Sequence, residues 1–189
     1  MAAIDTALTE SLISRLDAAV AEECDETRCD TIKRALEEVV ASGEEFIPAK
    51  FLEPAQGCYA RRLLHRDPEG RYSVLVMVWG VGQGTALHDH AGSWCVECVY
   101  RGRIKVVSYD LHGDPEDVPV TFTREKEVFA GPGNAGALIP PFEYHTIENA
   151  ADVPSATIHV YGGELKWCHI FVPVDGGFRR ELRELCYTE

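Results

Sequence analysis

The sequence lacks three features that are typical of membrane, secreted and nucleic-acid-binding proteins. No apolar run approaches the roughly 20 residues needed to cross a bilayer. The opening MAAIDTALTE has neither the basic patch nor the apolar core of a secretory signal. Positive charge is also scarce, since 18 Lys and Arg stand against 31 Asp and Glu, a formal net charge of −13. Because nucleic acids and anionic membranes carry the same sign, we expect neither as a partner, and we expect a cytoplasmic protein.

A complete set of disulfides is also excluded, because the seven cysteines are odd in number. Reduced thiols in a reducing compartment are the simplest interpretation. The chain has 189 residues, 46% of them hydrophobic and 26% charged, which is globular composition with enough length for a core of its own. We therefore predict a single domain over 1–189, as a monomer or small homo-oligomer.

Two amphipathic helices precede a long β region. Apolar residues recur at helical spacing from about Thr6 to Glu22 and again from roughly Thr27 to Ser42. After Phe51 the chain consists of short segments rich in Val, Ile, Tyr and Trp, separated by turn-formers such as DPEG and GPGN. The candidate strands are 58–65, 72–79, 94–100, 103–110, 119–123, 126–130, 136–140, 144–149, 155–161 and 167–172. This pattern predicts a mainly β jelly-roll barrel in 50–175, with the helices of 1–45 packed on it.

Three histidines predict a metal site. His88 and His90 are two apart in a predicted strand or strand edge, so both imidazoles would project to the same face. The run GQGTALHDHAGSWCVECVYRG at 82–102 matches the first cupin motif, with Cys95 where many cupins have a glutamate ligand. PPFEYHTIEN at 140–149 matches the second motif and supplies His145. A single histidine in a β core is more often structural than a ligand, but three at this spacing predict a bound metal ion.

The metal and the activity stay open at this point, because imidazole ligands suit iron, zinc, nickel or copper. One alternative is a non-catalytic cupin that binds a metal or small ligand as a sensor or storage module. Another is a cupin isomerase or a different dioxygenase.

From about Cys58 to Trp167 the chain resembles the cysteine dioxygenase family of cupins. The segments that carry this likeness are CYARRL at 58–63, VWGVGQGTALHDHAGSWC at 78–95, YHTIEN at 144–149 and TIHVY at 157–161. The resemblance implies one iron(II) per chain, held by His88, His90 and His145. It also implies oxidation of a small thiol to a sulfinate, with both atoms of dioxygen as co-substrate.

The resemblance implies roles for residues on both sides of the metal. Arg61 matches the arginine that pairs with the substrate carboxylate, and a planar guanidinium can hold a carboxylate through two parallel donors. Tyr59 and Trp79 match pocket positions. Cys95 and Tyr161 match the pair that forms a thioether crosslink beside the iron in animal cysteine dioxygenases.

The segment TIHVY places three polar side chains on one face of a predicted strand. Thr157, His159 and Tyr161 match a serine, a histidine and a tyrosine in the animal enzymes, and they would form an ordered hydrogen-bond chain. One departure follows, because Gly162 and Gly163 stand where the animal enzymes have a Ser-Pro step. Cys95 and Arg61 make L-cysteine the first candidate substrate, whereas the glycine pair, which looks more like bacterial mercaptopropionate enzymes, keeps 3-mercaptopropionate and mercaptosuccinate as alternatives.

Overall fold

The structure is a computed structural model that describes residues 6–189. Helix α1 (Thr6–Ala19) and helix α2 (Asp25–Ala41) lie close to their predicted positions, and a short 3-10 helix (Ala49–Leu52) follows. The predicted boundaries 1–189 and 1–45 include residues 1–5, which lie outside the described residues. Neither helix within 6–189 has the length and hydropathy needed to cross a membrane.

The other regular secondary structure of the described chain consists of strands, which form two sheets. The strands are β1 (Ala60–Arg66), β2 (Ser73–Trp79), β3 (Leu87–His88), β4 (Cys95–Arg101), β5 (Ile104–His112), β6 (Thr121–Ala130), β7 (Ala135–Leu138), β8 (His145–Asn149), β9 (Ser155–Tyr161), β10 (Trp167–Val174) and β11 (Gly177–Glu184). One sheet has the order β1-β2-β9-β4-β7, and the other has the order β11-β10-β3-β8-β5-β6. The predicted class, a mainly β cupin barrel with two helices before it, is confirmed.

Three strand predictions differ from the structure. The predicted segments 119–123 and 126–130 fall largely in one continuous strand, β6, whose mostly exposed position tolerates the charged residues between them. Strand β3 has two residues, too few for a recognisable pattern. The sheet also continues past 175, where the barrel was expected to end, through β11 to Glu184.

The central strands of the first sheet, β2, β9 and β4, are buried on both faces along nearly their whole length, and alternation along each strand separates the two environments. In β2, Val74, Val76 and Val78 pack against the helices, whereas Met77 and Trp79 belong to a cluster inside the barrel. The same alternation in β4 and β9 directs one set of side chains toward the helices. The other set faces the interior, where the chemistry-bearing residues lie.

The helices cover the outer face of the first sheet. Leu12 and Leu16 of α1 and Ile32 and Leu36 of α2 are at most 1% exposed and join the same cluster as the outward valines. Cys98 also belongs to this cluster, on the face of β4 opposite to Cys95. The helices therefore stabilise the sheet from outside without contributing side chains to the cavity described below.

Candidate active site

The three predicted histidines lie together inside the barrel. His88 ends β3 and is the direct partner of His145, the first residue of β8. His90 follows two residues after β3. The ring centroids are 4.5 Å apart for His88 and His145, 5.2 Å for His88 and His90, and 5.0 Å for His90 and His145. Two distant segments of the chain therefore converge through the β3–β8 pairing.

Ring nitrogens of these three histidines face one another, and one of them, His88 Nδ1, also has a backbone partner. The Nε2 atoms of His145 and His88 are 3.2 Å apart, and the backbone carbonyl of Ala86 lies 3.0 Å from His88 Nδ1. Within residues 6–189, neither ring nitrogen of the fully buried His90 has a hydrogen-bond partner. Buried polar atoms are normally paired, so this cluster fits a metal ion that would accept the free lone pairs.

The histidines are also in the protonation state that a metal requires. Burial lowers the pKa of His88 and lowers the pKa values of His90 and His145 well below the ordinary range, with the neighbouring histidines adding to the effect. Neutral imidazole is the form that donates a lone pair to a metal. The candidate ligand atoms of all three residues lie within 4.8 Å of one another.

Two buried acids that sequence reasoning missed fix the loop carrying His90. Glu143 accepts a hydrogen bond from the His90 backbone N–H at 2.7 Å, and burial raises the pKa of its carboxyl group. Asp89 accepts hydrogen bonds from the backbone N–H groups of His169, at 2.8 Å, and Ala91, at 3.1 Å. The one sequence signal that could have indicated such a role is the position of Asp89 between the two histidines of the first motif.

The polar face of β9 continues from the histidine cluster as a chain of hydrogen bonds. Trp79 Nε1 donates to Thr157 Oγ1 at 2.9 Å, and Thr157 Oγ1 lies 2.7 Å from His159 Nε2. Because Trp79 only donates, the Thr157 hydroxyl accepts from it and has its own hydrogen available for Nε2; in the tautomer that accepts this hydrogen bond, the His159 proton lies on Nδ1. That Nδ1 lies 3.3 Å from the Tyr161 hydroxyl.

Cys95 and Tyr161 are direct cross-strand partners on β4 and β9. Both are buried and belong to the same cluster inside the barrel. Burial holds the pKa values of the Cys95 thiol and the Tyr161 phenol well above their ordinary ranges. The pair is therefore adjacent and in its neutral form.

Consecutive arginines of β1 face opposite ways. Arg62 donates to the backbone carbonyls of Phe51 and Glu53, outside the barrel. Arg61 is 4% exposed and faces the interior, where its Nη2 donates to the Leu165 carbonyl at 2.6 Å. Its Nη1 has no partner among the described residues. A buried guanidinium with free donors is suited to an anionic ligand.

One cavity of about 550 Å³ joins these groups. Its lining includes Arg61, Tyr59, His88, His90, His159 and Tyr161. Tyr59 stacks on Trp79, with ring centroids 4.6 Å apart, and burial raises the pKa of its phenol. The two predicted pocket residues, Tyr59 and Trp79, thus form one aromatic side of the cavity.

Two further parts of the lining were missed from the sequence. The first is the C-terminal segment 185–188, where the Tyr187 ring lies 5.0 Å from the Arg61 guanidinium carbon and Thr188 pairs with the Arg61 backbone in both directions. The second is Glu97, whose buried carboxylate faces the histidines from β4. A tail without a motif gives no signal, but alternation from Cys95 could have placed Glu97 inside the barrel.

The glycine pair after β9 has a packing role. A Cβ on Gly162 would lie 2.6 Å from the Trp94 indole nitrogen, and Gly163 has a φ of 93°. Both positions therefore require glycine. Neither residue is part of the described lining of the cavity.

Residues 23–173 match the sequence profile of the family described as cysteine dioxygenase type I. The chain belongs to this family. It is 24% identical over 149 residues to cysteine dioxygenase type 1 of Rattus norvegicus, covering 78% of this chain and 71% of the rat protein. The human protein of the same name is 22% identical over 148 residues, with the same coverage. Cysteine dioxygenases depend on a metal, and the three-histidine cluster is a possible site for it.

Among solved structures, a protein with a double-stranded β-helix domain from Klebsiella pneumoniae is similar in shape. The TM-score is 0.48 at 16% identity, over 61% of this chain and 80% of that chain.

Proposed function

We propose that this protein is an iron(II)-dependent thiol dioxygenase whose substrate is a small carboxylated thiol, with L-cysteine as the first candidate. The observation that carries the proposal is the buried Arg61, whose Nη1 has no partner among the described residues, in the same cavity as His88 and His90 of the histidine cluster. A guanidinium and a metal site in one cavity fit a molecule that carries a carboxylate at one end and a sulfur at the other.

His88, His90 and His145 would hold iron(II), and the ion would supply a site for the substrate thiolate and for activation of dioxygen beside its sulfur. In the overall reaction RSH + O2 gives RSO2⁻ + H⁺, so the sulfur loses four electrons and both oxygen atoms end on it. Arg61 would hold the carboxylate through Nη1 and the remaining N–H of Nη2. With its carboxylate held in this way, the substrate would present its sulfur at a fixed distance from the Arg61 guanidinium.

The chain from Trp79 to Tyr161 would position a proton at the far side of the cavity. With His159 Nδ1–H donating toward the Tyr161 oxygen, the Tyr161 hydroxyl hydrogen is free to point into the cavity. There it can donate to the substrate oxygen atoms as negative charge develops on them. Tyr59 and Trp79 would exclude water from that side.

The same geometry suits 3-mercaptopropionate and mercaptosuccinate, because each carries a carboxylate for Arg61. The glycine pair argues little against cysteine, since both glycines lie outside the described lining. A non-catalytic cupin would need neither the free donors of Arg61 nor the hydrogen-bond chain on β9. A cupin isomerase would share the histidines but would not consume dioxygen, and a different dioxygenase using zinc, nickel or iron would consume dioxygen without a thiol.

Several wider expectations belong to this proposal. We propose one iron per chain and a thioether between Cys95 and Tyr161. We also propose a cytoplasmic protein that is a monomer or small homo-oligomer, with a small thiol rather than nucleic acid or a membrane as its partner. The net charge of −13 and the seven free cysteines support the proposal.

Oxygen uptake by the purified, iron-loaded protein tests the proposal. The thiols are L-cysteine, 3-mercaptopropionate, mercaptosuccinate and cysteamine, which has no carboxylate. We expect the carboxylated thiols to drive uptake with one sulfinate formed per dioxygen, and cysteamine to be much the poorest substrate. If no thiol drives uptake while iron stays bound, the non-catalytic alternative replaces this proposal.

A further inference from the structure

A second cavity, of about 340 Å³, lies at the other edge of the two sheets from the main cavity. Strands β7 and β6 are the last strands of their sheets, just as β1 and β11 are the first. Within residues 6–189, β7 pairs with β4 and β6 pairs with β5, but no ladder joins β7 to β6. The barrel is therefore not closed by hydrogen bonds at this edge, and the second cavity occupies the gap. The main cavity is instead lined by residues of β1, of β11 and of the C-terminal segment.

The walls of the second cavity are mostly aliphatic. On one side, the cross-strand pairs Ile104–Ala130 and Val106–Val128 of β5 and β6 line it. Val128 is 38% exposed, as expected for an apolar wall that no strand covers. The lining side chains that carry nitrogen or oxygen are Glu97, Ser108, Lys126, Asn134 and Thr157. Because a carboxylate is costly to bury against aliphatic walls, this cavity suits a small apolar molecule better than a carboxylated thiol.

The inner end of the second cavity lies beside the histidine cluster. Glu97 and Ile147 line both cavities, so the two cavities meet at this pair. Ile147 is 2% exposed and lies two residues after His145 on β8, which places both side chains on the same face. The Glu97 carboxylate lies 3.6 Å from His145 Nε2. The second cavity therefore approaches the cluster from the side of His145, whereas His88 and His90 line the main cavity.

A bound thiol would occupy the main cavity from its own edge of the sheets. In the proposed reaction the substrate carboxylate would pair with Arg61, beside Tyr187 and Thr188 of the same lining. Dioxygen that arrives after the thiol would then meet an occupied entrance. None of these three residues lines the second cavity, which the thiol would leave open.

We propose that the second cavity is the route by which dioxygen reaches the metal site, with Glu97 and Ile147 as the last side chains that it passes. The inference rests on the proposed function, because it takes dioxygen to react at the histidine cluster, but it does not depend on which thiol is the substrate. Dioxygen is small, uncharged and apolar, so it partitions from water into an apolar cavity as xenon does. The two substrates would thus enter from opposite edges of the sheets.

Gly136 allows the second cavity to be filled in steps. It lines the cavity as the cross-strand partner of Glu97, and a Cβ added to it would meet no heavy atom within 4 Å. The series Gly136→Ala, Gly136→Val and Gly136→Phe therefore adds side-chain volume to the cavity without a clash at Cβ. The matched control is Gly131→Phe, because Gly131 lies outside the lining and the nearest atom to a Cβ there is Asn134 Oδ1, at 4.0 Å.

Xenon binding tests access to the cavity without any assay of activity. Crystals of the purified wild-type protein under xenon pressure should contain xenon in the second cavity, since apolar cavities bind this gas. Crystals of Gly136→Phe should contain none there, and crystals of Gly131→Phe should match the wild type. A wild-type cavity without xenon overturns the inference, because an apolar gas would then have no site along the route.

Steady-state kinetics at varied dioxygen concentration tests whether the reaction uses the cavity. We expect KM for dioxygen to rise along the series, by at least about fivefold in Gly136→Phe, while KM for the thiol and kcat at saturating dioxygen change less than about twofold. Equal KM values for dioxygen in Gly136→Phe and the wild type refute the route, as does the same rise in Gly131→Phe. If Gly136→Phe does not fold, Gly136→Ala and Gly136→Val still give the trend. Failure of the proposed function looks different, because the wild type itself would then take up no dioxygen with any thiol.

Discussion

The two consecutive arginines of β1 differ in role, because one anchors a neighbouring segment and the other has donors available to a ligand. Arg62 anchors the segment before the barrel through two backbone carbonyls, whereas Arg61 keeps free donors in the cavity. The sequence RR predicts that only one of them faces inward, because alternate residues of a strand point to opposite sides. The likeness to the family then selects Arg61, and the structure places it beside the histidines.

Replacing Arg61 with alanine should separate substrate binding from metal binding. Loss of one partner of a buried charge pair costs about 2–5 kcal/mol, so we expect KM for L-cysteine or 3-mercaptopropionate to rise roughly 100-fold. Iron content should stay near that of the wild type, and cysteamine oxidation should barely change. Arg101→Ala is the control, because Arg101 is exposed and pairs with Glu45. An equal loss with cysteamine would mean that Arg61 does not bind the carboxylate.

The neighbouring thiol and phenol predict a covalent bond. Joining Cys95 Sγ to a carbon of the Tyr161 ring removes two hydrogen atoms, that is two protons and two electrons, and dioxygen would accept them to give hydrogen peroxide. We expect tryptic digestion of protein that has turned over substrate to yield 72–101 and 127–166 as one species, lighter than their sum by two hydrogens. Cys95→Ala should yield the two peptides separately. Their complete separation in the wild type as well would refute the thioether.

At the scale of elements, period-two alternation made the site predictable. Strand β9 carries Ala156, Ile158 and Val160 on the face toward the helices and its polar residues on the other. That pattern is present in the sequence, so Thr157, His159 and Tyr161 could be placed on one face. Strand β11 was missed although Asp175 and Gly176 form a two-residue turn between paired strands, a strong hairpin signal.

The C-terminal segment could not be predicted, because its role depends on where β11 ends. Leu185 and Tyr187 pack beside the cavity because the β10–β11 hairpin brings the chain back next to β1. No local pattern in LCYTE indicates contact with Arg61, more than 120 residues earlier in the chain. Glu97 escaped notice for a related reason, since the motif directs attention to the position of Cys95.

Tyr187 should help to hold Arg61 in its binding position. The ring lies over the guanidinium, and the Tyr187 hydroxyl donates to Glu164 at 2.8 Å. A cation–π contact of this kind is worth about 0.5–2 kcal/mol. We expect Tyr187→Ala to raise KM for carboxylated thiols about 3- to 10-fold with little change in kcat, and Tyr187→Phe to have a smaller effect. Unchanged steady-state kinetics in Tyr187→Ala would show that the tail does not support Arg61.

For the whole molecule, the first sheet has an apolar outer face, which packs on the helices, and an inner face that carries polar residues. The helices bury the outer face of that sheet, so its strands can carry a histidine, a threonine and an acid on the inner face and remain fixed. The fold class followed from strand spacing and turn residues. The convergence of His88 and His145 followed from motifs, whereas the supporting contacts of Asp89 and Glu143 required the folded loop.

The histidine cluster also predicts how stability depends on pH in the metal-free protein. Burial lowers the pKa values of His88, His90 and His145 in the folded state, whereas the unfolded chain has ordinary values near 6.5. Below that pH the unfolded state binds more protons, so the free energy of unfolding falls as the pH falls. Each histidine in this window contributes a slope of up to about 1.4 kcal/mol per pH unit.

Urea unfolding of the metal-free protein between pH 7.5 and 5.5 measures this slope, and His90→Asn isolates the part that belongs to the cluster. We expect the variant to lose up to about 1.4 kcal/mol per pH unit of the slope, while variants of exposed histidines such as His112→Asn keep it. The comparison between variants is needed because Glu143, whose pKa burial raises, works in the opposite sense. An identical slope in wild type and His90→Asn would mean that His90 titrates normally in the fold.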